Sequence, residues 1–360
     1  MSQSVLTPEA SQPDVPPAPV ARDFGPASPH SRILFWLLRA FAYPFVVNWR
    51  PTRRGIHFLR WLYGTVIQFP AMKGTVVERR IIGGTPAEWT TTPRSGEAGR
   101  RERVILYIHG GGYVFGSPGT HRNLVSRLSH VTATPVANLD YRMPPETSLQ
   151  GSQNDVFAAY EGLLADGYAA ESIVVAGDSA GGGHAAHLVL RAIDEGVPLP
   201  AGLIMLSPWT DLTASGESFI SNGRYDFVIV KSILDRIARA LAPTLEAQRD
   251  WRRSPAFAPP EMLAQFPPTL VQVGGRETLR DDGLAFARRL ALAGGRVETQ
   301  TYAGQGHVVA MWSGTPESRR AMREIFRWLK LSLPDERDPS DPTAADLAAA
   351  DDAGPVDPIL

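Results

Sequence analysis

Ser172-Ile-Val-Val-Ala-Gly-Asp-Ser-Ala-Gly-Gly182 joins a short β-branched run to an Ala/Leu-rich stretch with helical periodicity. Its centre, Gly177-Asp178-Ser179-Ala180-Gly181, has the form Gly-x-Ser-x-Gly, which between a strand and a helix reads as a nucleophile elbow. Glycines two residues either side of Ser179 leave room for a tight turn that lifts its hydroxyl above a sheet. A helix starting near Ala180 would aim unpaired amides and a positive dipole end at the same spot. The competing reading is a strand-to-helix turn in which glycine merely relieves crowding. Partners elsewhere in the chain decide between the two.

A chain of 360 residues with 43% hydrophobic content can bury a large core in one large domain or two. Its 36 basic and 37 acidic residues nearly cancel, so no general attraction to nucleic acid follows. The absence of cysteine excludes disulfides, thiolate metal sites and a cysteine nucleophile. The charges are unevenly spread. Ser31 to Val77 carries seven bases (Arg32, Arg39, Arg50, Arg53, Arg54, Arg60 and Lys73) and no acid, whereas Asp335 to Leu360 carries eight acids and only Arg337.

Residues 1–30 are rich in Pro, Ala and Ser without apolar periodicity and read as a disordered tail, as do the acidic residues 334–360. The N-terminal residues lack the basic start and apolar core of a secretory leader, and a cytoplasmic protein is expected. Ile33 to Val47 is apolar but is interrupted by Arg39 and Pro44, and it falls short of the about 20 residues of a bilayer span. Two amphipathic helices, over 31–47 and 54–68, are expected instead, within an N-terminal cap unit of residues 31–72.

From about Lys73 short β-rich runs alternate with helical ones. Strands are expected at 75–82, 87–92, 103–108, 134–140, 172–177, 202–207, 269–273 and 297–302. Helices are expected near 120–131, 152–165, 180–195, 281–294 and 315–331. This alternation predicts an α/β fold with a mostly parallel eight-stranded sheet flanked by helices. The first two strands lie too close for a helical crossover and should form an antiparallel hairpin. The catalytic domain is then 73–333. Within it, 208–266 has Pro-rich turns and a helical run near Lys231–Leu241 but no strand pattern, and reads as an insertion contributing to a helical cap.

The strand Val104–Ile108 runs into His109-Gly110-Gly111-Gly112-Tyr113. Acyl transfer needs amide donors aimed at the oxygen that becomes negative, and consecutive glycines let backbone N–H groups approach it. A phosphate-cradling loop would instead end in Gly-Lys-Ser/Thr, which is absent. A serine also needs a base, and histidine suits neutral pH. Of the eight histidines, His30 and His57 precede the sheet, and His121, His130, His184 and His187 lie in helical patterns as packed or solvated rings. His109 belongs to the glycine loop and orients it. His307, in Tyr302-Ala-Gly-Gln-Gly-His307, follows the last strand, where parallel sheets place their sites. The acid that orients this histidine should lie after Leu270–Val273. Glu277 is the first candidate there. Asp281 and Asp282 read as capping residues of the next helix, and Asp211 after the preceding strand is a weaker candidate.

The order Ser179, Glu277, His307 is that of the α/β-hydrolase fold. His109-Gly-Gly-Gly-Tyr113, Asp140-Tyr-Arg-Met-Pro-Pro-Glu146 and Gly177-Asp-Ser-Ala-Gly-Gly182 together resemble the hormone-sensitive-lipase group of carboxylesterases, over roughly Arg79 to Leu331. The resemblance implies Ser179 as nucleophile, His307 as base, and the amides of Gly111, Gly112 and Ala180 as an oxyanion hole. His109, Gly110 and Asp178 support it as motif residues, and a helical cap covers the acyl pocket. Two positions depart from the family pattern. Glu277-Thr278-Leu279 stands where the family has Asp-Pro-Leu, and Met143-Pro144-Pro145 where it has Leu-Ala-Pro.

The expected activity is cofactor-independent hydrolysis of short- to medium-chain hydrophobic carboxylic esters through an acyl-enzyme, in a pocket lined by cap residues such as Trp36, Phe41 and Trp61. Lactone opening and amide deacetylation use the same machinery. A ligand-binding receptor on an inactive scaffold is the alternative from another class. No metal site and no nucleotide or nucleic-acid partner is expected. Segment 32–61 is read first as a cap whose apolar residues build its own core, with peripheral contact at an anionic membrane surface as the alternative.

Overall fold

Val104-Ile-Leu-Tyr-Ile108 is apolar at every position because both of its faces are covered. In the computed structural model, which describes residues 19–41, 43–62, 69–97 and 103–333, it is the fourth of nine strands in one sheet. These are β1 (Val20–Phe24), β2 (Val76–Ile82), β3 (Thr85–Thr91), β4 (Val104–Ile108), β5 (Val136–Leu139), β6 (Ile173–Asp178), β7 (Gly202–Leu206), β8 (Thr269–Gly274) and β9 (Val297–Tyr302). Their order across the sheet is β1-β9-β8-β7-β6-β4-β5-β3-β2. β2 and β3 form the antiparallel hairpin, β3 also runs antiparallel to β5, and all other neighbours are parallel.

Period-two alternation divides β4 between two cores. Val104, Leu106 and Ile108 pack beneath the helices Leu149–Ala165, Ala180–Glu195 and Arg280–Leu292. Ile105 and Tyr107 pack beneath Pro118–Thr132 and Pro316–Ser332. Each such side chain contributes about 1.5–3 kcal/mol by leaving water. Between β7 and β8 the longest helix is Lys231–Leu241, and no strand occurs there. Among the described residues no helix is long and apolar enough to cross a membrane.

The sheet has nine strands rather than the expected eight, and the extra one comes from residues read as a disordered tail. β1 pairs in parallel with β9, Phe24 stacks on Tyr302 with ring centroids 4.7 Å apart, and Arg22 pairs with Glu324 at 2.8 Å. Most of Val20–Phe24 faces solvent at the sheet edge, so it carries little apolar pattern, and β9 supplies the backbone partners that order it. The helix expected over 31–47 is two, α1 (Pro29–Phe41) and α2 (Tyr43–Asn48), because Pro44 cannot continue a hydrogen-bonded helix from α1. The next helix, α3, spans Arg53–Trp61 and is capped by the Thr52 side chain. Residues 63–68 of that expected helix, residues 1–18 and the acidic tail 334–360 lie outside the described residues.

Candidate active site

Ser179 sits between β6 and the helix Ala180–Glu195 at φ 52° and ψ −123°, a conformation an L-residue holds only where its surroundings enforce it. Its N–H donates to the Leu206 carbonyl at 2.8 Å, and its own carbonyl accepts the Trp209 N–H at 2.9 Å. The flanking glycines are required by close backbone approach. A Cβ on Gly177 would lie 2.4 Å from the Gly181 carbonyl oxygen, and one on Gly181 would lie 2.0 Å from that of Ile108.

The glycine loop lies directly against this turn. A Cβ on Gly110 would come within 3.0 Å of the Ser179 Cβ. Gly111 and Gly112 adopt φ of 127° and 58°, and their amides meet no acceptor among the described residues. Ala180 is the first residue of its helix, where amides precede the intrahelical ladder. Buried Asp178 ties loop to elbow. Its Oδ1 accepts the Gly110 N–H at 3.0 Å and the Tyr107 hydroxyl at 2.7 Å, and its Oδ2 lies 3.3 Å from His121 Nε2. Burial works to raise the Asp178 carboxyl, but the charge and hydrogen bond of His121, with those from Tyr107 and Gly110, hold it below the ordinary range. Burial likewise works to lower His121, and Asp178 overrides it, raising the imidazole above 6.5. His121 was expected to be an ordinary packed helix residue. It is instead the charge partner of the elbow aspartate across 57 residues of chain, a relationship with no local sequence signal.

His109 is buried, with Nδ1 2.8 Å from the Gly110 carbonyl and its own carbonyl accepting the Tyr141 hydroxyl at 2.7 Å. Burial, then the nearby His121 charge, push its pKa down to about 3, so its ring is a neutral strut for the loop.

Glu277 and His307 meet at the carboxyl edges of β8 and β9. His307 Nδ1 lies 2.7 Å from Glu277 Oε2, while Glu277 Oε1 accepts the Gly274 N–H at 2.8 Å. Both side chains are buried. Burial alone would lower the imidazole pKa, but the hydrogen bond and charge of Glu277, followed by the charges of Asp226 and Asp178, raise it above 6.5. Burial pushes the Glu277 carboxyl up, with His307 pulling it back. The Val308 N–H next to His307 donates to Ser207 Oγ at 2.9 Å, and Ser207 follows Leu206, the residue that anchors Ser179.

The other carboxylates near this loop are committed elsewhere. Asp211 accepts Thr213 and Ser215 in its own turn. Asp282 accepts the amides of Thr210 and Asp211 at 3.0 and 3.1 Å, and Asp281 that of Ser218 at 2.8 Å. The last two therefore do not cap their own helix as expected. From its first turn they reach across to the segment after β7. That segment in return braces the acid loop, with Asn222 donating to the Glu277 carbonyl at 2.9 Å and Asp226 accepting the Thr278 N–H at 2.7 Å.

Apolar side chains cover the site. Ile237 of the helix Lys231–Leu241 would lie 3.5 Å from a Cβ on Gly112, and Phe227 3.5 Å from one on Gly306. Phe35 of α1 packs on Phe227 and Trp312, and Trp312 Nε1 donates to the His307 carbonyl at 2.8 Å. Trp36, Phe41 and Trp61, expected to line the pocket, point outward at 68%, 69% and 57% exposure. Helical phase decides this: Phe35 takes the inward position of α1, and its neighbour Trp36 lies about 100° round the axis.

A strained serine turn between strand and helix, an adjoining glycine loop and an acid–histidine pair on a nine-stranded mostly parallel sheet define an α/β hydrolase. The family model described as alpha/beta hydrolase fold matches residues 105–311, and the chain belongs to that family. Within it the chain is a member of the hormone-sensitive-lipase-like esterases. It is similar to an acetyl-hydrolase of Streptomyces hygroscopicus, 36% identical over 253 residues, covering 70% of this chain and 81% of the relative. It is also similar to the carboxylesterase/phospholipase LipF of Mycobacterium tuberculosis, 32% identical over 268 residues, covering 73% and 71%. The crystal structure of an esterase from the bacterial hormone-sensitive lipase family matches with a TM-score of 0.74 and 34% identity, over 85% of this chain and 99% of that one.

Proposed function

We propose that the protein is a serine carboxylesterase acting on short- to medium-chain hydrophobic esters through an acyl-enzyme. The observation that carries this reading is the buried contact of 2.7 Å between His307 Nδ1 and Glu277 Oε2. It fixes the tautomer that leaves Nε2 free to take a proton. Ser179 Oγ attacks the ester carbonyl carbon as His307 accepts its proton. The amides of Gly111, Gly112 and Ala180 hold the oxyanion. Collapse of the tetrahedral intermediate breaks the bond to the alkoxy oxygen, which leaves as the alcohol with the proton from His307. Water, deprotonated by the same ring, then releases the carboxylic acid from Ser179. The sequence of steps needs no cofactor.

Ile237, Phe227 and Phe35 around the glycine and histidine loops support an apolar acyl or alcohol group of modest size. Segment 32–61 adds a peripheral membrane contact to this reading, because its bases are accompanied by aromatic side chains turned to solvent. Turnover of p-nitrophenyl butyrate tests the catalytic assignment. Ser179→Ala, folded like the wild type by circular dichroism, should lose that turnover and its labelling by a fluorophosphonate. Retained turnover in this variant refutes the nucleophile. A receptor on an inactive scaffold would fail to label in the wild type as well.

A further inference from the structure

α1, α2 and α3 each turn large apolar side chains outward. Their inward positions are occupied: Phe35 packs on Phe227 and Trp312, Trp49 lies against Phe115, and Ile56 is buried in the core beside Tyr113 and Trp209. Ile33, Trp36, Phe41, Phe45, Phe58 and Trp61 remain between 57% and 80% exposed. Ile33, Leu37 and Phe41 recur four residues apart along one side of α1, with Trp36 beside them at the i+3 position of Ile33. Phe58 and Trp61 lie on one side of α3, with ring centroids 6.0 Å apart. Large apolar side chains exposed in rows on successive helices, rather than scattered singly, mark an interaction site.

Its charge identifies the partner. Arg32, Arg50, Arg53 and Arg54 are exposed, and no carboxylate among the described residues pairs with them. We propose that α1–α3 dock the protein onto an anionic phospholipid surface, with the aromatic side chains in the headgroup–acyl boundary and the arginines on lipid phosphates. Aromatic rings and bases on one set of amphipathic helices match both halves of such a surface. A second copy of the chain meets only the apolar half, because a self-complementary contact would set these unpaired arginines against their counterparts. Residues 334–360 match only the charged half: they hold eight acids but Leu347, Val356, Ile359 and Leu360 as their only large apolar residues.

The same helices reach the site. Arg60 of α3 donates through Nε to the Val114 carbonyl at 2.8 Å, just beyond the glycine loop, and Phe35 of α1 lies beside Trp312 and so the histidine loop. Docking therefore brings esters dissolved in the lipid to the cover of the pocket. This consequence rests on the carboxylesterase reading; the docking does not.

The test is flotation of the full chain with vesicles of phosphatidylcholine alone or mixed with phosphatidylglycerol, with p-nitrophenyl butyrate turnover measured on the same preparations. The protein should float with the phosphatidylglycerol vesicles at low salt and be released at high salt. Replacing Arg32, Arg50, Arg53 and Arg54 by Gln should weaken binding about fivefold per charge. Trp36→Ser/Phe41→Ser/Trp61→Ser should weaken it at low salt as well. Turnover of the soluble ester should stay at the wild-type level in both variants. No flotation at low salt, or flotation that neither variant reduces, overturns the proposal. Dimerisation without lipid that the aromatic variant abolishes assigns the face to a second copy. Flotation that appears only after removal of residues 334–360 assigns it to the tail. Either result overturns the proposal too. Loss of turnover with normal flotation sinks only the esterase reading.

Discussion

Glu277 holds two donors at once, the imidazole of His307 on Oε2 at 2.7 Å and the Gly274 N–H on Oε1 at 2.8 Å. The second contact fixes the carboxylate to its own strand end, so the extra methylene of glutamate is taken up locally and its free oxygen still reaches the ring. Glu277→Gln keeps an oxygen for Gly274 but removes the charge that stabilises imidazolium. In steady-state assays its kcat should fall on the order of 10³–10⁴-fold with KM little changed. Glu277→Asp shortens the reach and should give an intermediate rate. Wild-type kcat in the Gln variant rules Glu277 out as the acid.

The pH profile follows from the same pair. The proposed base, His307, works only when neutral, and it is raised above 6.5 chiefly by Glu277 against the lowering effect of burial. kcat/KM should therefore fall as pH drops through a midpoint above 6.5. Glu277→Gln should move the midpoint to lower pH even as the rate drops, and Asp226→Asn should move it the same way by less. A wild-type midpoint below 6.5 contradicts the placement of these charges.

What was legible in the chain was what is local. The strand-to-helix turn at Ser179, the glycine loop and the stretch Gly304–His307 each carry their pattern in a few consecutive residues, and Glu277, which the fold brings to His307, could be singled out by its distance past a strand. β1 was not legible, because its five residues gain order from the β9 edge rather than from their own pattern. His121 and Asp226 were not legible either. Their partners, Asp178 and Thr278, are 57 and 52 residues away, and only the fold brings them into contact. On α1 the apolar stretch was plain, but which aromatic ring faces the pocket depends on helical phase against Phe227 and Trp312.

Asp178 and His121 form a buried charge pair next to Ser179, and its contribution to stability depends on pH in both directions. Asp178 is depressed, so its part is present above about 3.9 and lost as pH falls through its folded pKa. His121 is raised, so its part is present below about 6.5 and lost as pH rises through its folded pKa. Asp178→Asn breaks the pair and should cost about 3–5 kcal/mol. The gap between wild-type and variant melting temperatures should be widest between about pH 4 and 6.5 and shrink above that window. A gap that does not vary with pH would mean the pair is uncharged.

Gly181 gives a prediction whose sign opposes the usual rule. Replacing a glycine inside a helix by alanine ordinarily stabilises by about 0.5–1 kcal/mol. Here an alanine Cβ would lie 2.0 Å from the carbonyl oxygen of Ile108, the last residue of β4, and 2.7 Å from that of His109, the first residue of the glycine loop. The helix must retreat from β4 to admit it, which overpacks the interface at a cost of about 1–3 kcal/mol. The same retreat separates the Ala180 amide from those of Gly111 and Gly112, so the three amides proposed to hold the oxyanion no longer converge. Gly181→Ala should lower both the melting temperature and kcat, with the kcat loss persisting well below the melting range. Gly196→Ala, at the far end of the same helix, has no atom within 4 Å of its new Cβ and a φ of 68°. It should lower stability through backbone strain alone and leave kcat unchanged, separating a site effect from a general one.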